Sequence, residues 1–133
     1  MKIKLQSLML FAMLAFGNVS QAQEDVILSD WTALEESPKL IDVSYRVIKC
    51  GGNTAKLHLH VFNENVSPQE VSFKLHLTDE DGNTGDIEAN GIKMDLAEMR
   101  NAECGSTDNT DLIFSIPAGI NQNKFSVTIT YLD

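Results

Sequence analysis

From Leu40 onward, apolar and polar residues alternate with a period of two, the signature of strands covered on one side. Ile41, Val43, Tyr45 and Val47 alternate with Asp42, Ser44 and Arg46, and Gly51-Gly52-Asn53 ends the run. Leu57, Leu59 and Val61 alternate with His58, His60 and Phe62. After the turn-rich stretch Asn63 to Pro68, Val71, Phe73, Leu75 and Leu77 resume against Ser72, Lys74 and His76. Asp79 to Gly85 is a second turn, and Phe125, Val127, Ile129 and Tyr131 form a last strand against Ser126, Thr128 and Thr130. Two segments are less regular. Ile92, Met94 and Leu96 read as a strand, while Leu96 and Met99 also fit a helical turn. Leu112 to Ile116 reads as a short buried strand stopped by Pro117. Ahead of these, Val26 to Leu28 predicts an edge strand, and Ser29 or Asp30 can cap a short helix running to Glu36 before Pro38. About seven short strands with turns between them predict an all-β fold, an antiparallel β-sandwich of one domain.

The first 22 residues follow a different pattern. Lys2 and Lys4 precede an apolar run from Leu5 to Phe16, and Ser20 and Ala22 place small residues at the −3 and −1 positions of a cleavage site. That layout predicts a cleaved signal peptide over 1–22 and a single domain over 23–133, secreted, extracellular or periplasmic. The apolar run is shorter than the roughly twenty residues a membrane span needs, so no integral membrane segment is expected once the signal is removed.

Charge sharpens this picture. The 133-residue chain has a net charge of −9, and setting aside the two lysines of residues 1–22 takes it to −11. So acidic a domain has no basic face for nucleic acid or anionic lipid. In an exported chain the only two cysteines, Cys50 and Cys104, can form one disulfide. It would close a loop of about 55 residues, for a chain-entropy stabilisation of up to about 4 kcal/mol.

The stretch Leu57–Asn65 (LHLHVFNEN), followed by VSFKLHLTD at 71–79, resembles the central hairpin of immunoglobulin-like or fibronectin-type-III-like modules of secreted proteins. The likeness covers residues 40–133 and implies an immunoglobulin-like sandwich with a binding or spacing role. Immunoglobulin domains set a Trp between their paired cysteines, whereas Trp31 here precedes both.

Three groups of residues carry candidate chemistry. If His58, His60 and His76 share one hairpin face, His-x-His on one strand and a third imidazole across the ladder can ligate Zn²⁺ or Cu²⁺. Lys56 and Lys74 share that face and oppose a cation there. Asp79, Asp81 and Asn83 begin like a calcium loop, although Thr84 and Asn90 stand where an EF-hand needs Gly and Glu. Asp108, Asn109 and Asp111 could join them if the fold allows. Phe62, with Ile48 and Leu132, falls on a polar face and is a candidate contact for a protein or carbohydrate partner. There is no G-x-S-x-G, H-E-x-x-H or phosphate-binding glycine loop. The expectation is a non-enzymatic binding module without cofactor. The alternative is a periplasmic Zn or Cu binder using the histidines. The last strand, KFSVTITYLD, adds an edge able to pair with another chain.

Overall fold

The computed structural model describes residues 23–132; the expected signal peptide lies outside them. Among the described residues, eight strands form two antiparallel sheets. β1 (Val26–Ala33), β2 (Ile41–Lys49) and β3 (Ala55–Asn63) follow one another in the larger sheet. β4 (Gln69–Asp79) and β5 (Thr84–Met94) form a hairpin in the smaller one. The chain then returns to the larger sheet, where β6 (Met99–Asn101) and β7 (Ile113–Ser115) pair with the two ends of β3. β8 (Phe125–Tyr131) completes the smaller sheet in the order β5-β4-β8.

The alternation in the sequence places the core between the sheets. Ile41, Val43, Tyr45 and Val47 of β2, with Leu57, Leu59 and Val61 of β3, are buried with Val71, Phe73, Leu75 and Leu77 of β4. β5 contributes Ile87 and Ala89, then Ile92 and Met94. The spacing of three between Ala89 and Ile92 breaks the period of two. A bulge opposite Ser72 repairs it. Gly91 takes a φ of 63°, open to glycine at no steric cost, and its N–H donates to the Ser72 hydroxyl at 2.8 Å.

Several expectations need correction. Residues 29–36 form no helix, because β1 runs on to Ala33, paired to β2 through two register shifts. Cross-strand hydrogen bonds outweigh a helix of barely two turns. The strand through Met94 ends in a turn, with the Glu98 N–H donating to the Asp95 carbonyl and Ala97 at positive φ. Leu96 there is 58% exposed. The crossing from the larger to the smaller sheet falls between β3 and β4. β2 and β3 pair along nine residues of one sheet.

Candidate functional site

The predicted histidine hairpin does not form. Residues 64–68 carry the chain from one sheet to the other, so β3 and β4 are never ladder partners. Asn63, fully buried, fixes that crossing. Its Nδ2 donates to the carbonyls of Ser67 and Asp95, and its Oδ1 accepts from the backbone N–H of Asn65. His58 and His60 therefore point outward from the larger sheet, and His76 outward from the smaller one. His76 Nδ1 pairs with Asp86 at 2.6 Å. The three imidazoles lie on opposite faces of the sandwich and do not converge on one ion.

His58 has a different neighbour. Cys50, just past β2, is bonded to Cys104 in the loop after β6, with their Cα atoms 5.4 Å apart. The turn of Cys50 to Asn53, closed by an N–H···O bond of 3.1 Å, and the Ala102 N–H on the Leu59 carbonyl at 3.0 Å bring both cysteines beside β3. The Nε2 of His58 sits 3.8 Å from the Cys50 Sγ, and the residue is 1% exposed. Its Nδ1 has no well-formed hydrogen bond. Burial holds the His58 pKa below the ordinary imidazole value, and the charge of Arg46 adds to the effect. The backbone of Ala102 and the charge of Asp25 offset it only in part. An open cleft of about 570 Å³ reaches this point, lined by the disulfide, His58, Lys56, Glu103 and Ile113.

Comparison with protein-family models, curated proteins and solved structures finds no match to this chain.

Beside the cleft, the outer face of the larger sheet carries a polar-aromatic row. Arg46 lies directly opposite His58 across the β2–β3 ladder. Its guanidinium stands 4.7 Å over the Trp31 ring, a cation–π contact. The Trp31 ring meets His60 edge-on at 6.0 Å. Ile48, expected on the surface, is 3% exposed, whereas Phe62 is half-buried in register with Asp42 and Met99.

The acidic groups divide in two. The Asp79 carboxylate accepts from the N–H groups of Asp81, Asn83 and Asn121 and from the Asn83 side chain. Led by the Asn121 bond, these donors hold its pKa below the usual carboxylate value against the cost of burial. Its oxygens organise the turn instead of facing outward together with Asp81 and Asn83. Asn109 and Asp111 are held by Arg100 and do not join it. A second cluster, Glu36, Asp42 and Glu64, places three carboxylates within 4.8 Å of one another. Hydrogen bonding to Asp42 is the main cause of a raised pKa at both Glu36 and Glu64. These three lie on separate segments, so no spacing in the sequence signals them. The Cys50–His58 contact follows from the register of β2 against β3, which residue spacing does not set either.

Proposed function

We propose that this chain is an exported, non-enzymatic binding module that takes up an extended segment of another polypeptide alongside β8. The observation that carries this reading is the contrast between β8 and the other sheet edges. β1 is broken by two register shifts. β6 and β7 have three residues each. β5 carries a bulge and the charges of Asp86, Glu88 and Lys93. Bulges, charges and short strands are the devices that keep sheet edges from pairing. β8 has none of them. Its register with β4 is unbroken from Phe125 to Tyr131, and no charged residue falls between Lys124 and Asp133. Among the described residues, no strand pairs with its other side.

The phase of the free edge follows from one bond. Leu132 N–H donates to the Ser72 carbonyl at 2.8 Å, so Ser126, Thr128 and Thr130 also turn their backbone groups to β4. Phe125, Val127, Ile129 and Tyr131 turn theirs outward, a ready template for strand addition. The Cys50–Cys104 bond supports an oxidising compartment. The net negative charge favours a basic partner segment.

The test is selection of peptides from a displayed random library on the immobilised domain. Binders should protect the amide hydrogens of Val127 and Ile129 from exchange. They should lose affinity for Thr128→Lys, an exposed substitution expected to change stability by no more than about 0.5 kcal/mol. Binders that protect other strands, or that ignore Thr128→Lys, would defeat the reading. So would a selection that yields none.

A further inference from the structure

We infer that reduction of the Cys50–Cys104 disulfide turns the cleft beside it into a binding site for a thiophilic cation, Zn²⁺ as the reference ion. The ligands would be Cys50 Sγ, Cys104 Sγ and His58 Nε2. The three atoms already lie within 4.8 Å of one another, in the absence of any ion. Two ligands of a tetrahedral zinc, one sulfur at about 2.3 Å and one nitrogen at about 2.0 Å, stand about 3.6 Å apart. The observed distance from the Cys50 Sγ to the His58 Nε2 is 3.8 Å. Two sulfurs on one zinc need a separation of about 3.8 Å. Once the covalent bond is broken, rotation of the two side chains can provide it without moving the backbone.

The imidazole carries the second, independent argument. A histidine that is 1% exposed and has no well-formed hydrogen bond at Nδ1 is costly to keep unless something compensates it. Its Nε2 faces a sulfur. Its Nδ1 is buried without a hydrogen-bond partner. Because the cleft opens on the disulfide and on His58, a fourth coordination position faces solvent.

An external dithiol gives two electrons and two protons to the disulfide, leaving Cys50 and Cys104 as thiols and the dithiol as a cyclic disulfide. Zn²⁺ then binds both sulfurs and the neutral imidazole, and two protons leave to solvent. In the oxidised protein the sulfurs are bonded to each other and the site is closed. This inference is independent of strand addition at β8, which lies in the other sheet.

The experiment reduces the protein with a phosphine, removes excess reagent without air, and titrates it with Zn²⁺ by calorimetry and with Co²⁺ by absorption. The expected result is one ion per chain, a thiolate-to-cobalt charge-transfer band, and intense tetrahedral d–d bands. The oxidised protein should show none of these. His58→Gln should weaken Zn²⁺ binding by at least about tenfold, and Cys104→Ser should remove the two-thiolate signature. Far-UV circular dichroism on the reduced protein separates a folded site from cysteines in an unfolded chain. Binding that His58→Gln leaves unchanged, binding by the oxidised form, or no binding after reduction would each overturn the assignment. Loss of the sheet signal on reduction, with metal held only by the loose chain, would overturn it as well.

Discussion

Arg46 and His58 face each other across the β2–β3 ladder, and the guanidinium helps to keep the buried imidazole neutral. Folding therefore lowers the pKa of His58 below its reference value of 6.5. Below that value, an unfolded chain takes up a proton that the native protein refuses. Stability is then fully present above about pH 6.5 and is lost as pH falls toward the lowered native pKa. An NMR titration should find His58 titrating at lower pH than in an unfolded peptide. In His58→Gln, the stability lost between about pH 6.5 and 5 should shrink.

Asn63→Ala should be among the most damaging single changes outside the apolar core. It strips partners from the Ser67 and Asp95 carbonyls and from the Asn65 N–H at once. At a site with no solvent exposure, a cost of about 2–4 kcal/mol is expected. Urea denaturation should read it as a lower midpoint with an unchanged slope.

Replacing both cysteines with serine removes the covalent link between the end of β2 and the loop after β6. The loss should reach up to about 4 kcal/mol, the chain-entropy value for a loop of this length. Comparison of oxidised and reduced wild-type protein in the same denaturant series should give a loss of similar size.

Asp42→Asn should stabilise the protein at neutral pH and do little in acid. Glu36 and Glu64 have raised pKa values because they share hydrogen bonds and like charge with Asp42. Their protonated forms are favoured in the native state, so the native advantage is present in acid and lost as pH rises through the raised values. Removing the central charge should return both glutamates toward ordinary titration. Thermal melts at pH 7 and pH 3 check the stability difference, and carboxyl NMR shifts check the titration.

Tyr131 offers a spectroscopic prediction. Burial, with the charges of Asp42, Glu35 and Glu36, pushes its phenol up to about 12. The hydroxyl also donates to the Glu35 carbonyl at 2.6 Å. The difference between wild type and Tyr131→Phe in ultraviolet absorbance should show one phenol ionising near that value.

The alternation of residues such as Leu57, Leu59, Leu75 and Leu77 told which side chains face inward, and the structure buries all four. Alternation says nothing about which strand is the neighbour. His58 and His76 both sit at outward positions, as the pattern requires, yet on different sheets. What decides between a hairpin and a crossing is Asn63, whose bonds reach as far as Asp95. No local window contains both ends of that contact. The same holds for Ile48, outward by phase but covered by neighbours on β1 and β3. The disulfide was legible because two cysteines allow only one pairing. Its contact with His58 depended on the register of β2 against β3, which a sequence alone leaves open.

The position of β4 has a kinetic consequence. It is the central strand of its sheet, and its two partners become available by different routes. β5 follows after a short turn and can pair quickly, whereas β8 must return across roughly 45 residues of chain before it can dock. Until it does, one side of β4 is an open seat with the shape of β8. A second molecule's β8 would fill that seat as well as the chain's own, so concentrated refolding should produce swapped dimers that dilute refolding avoids.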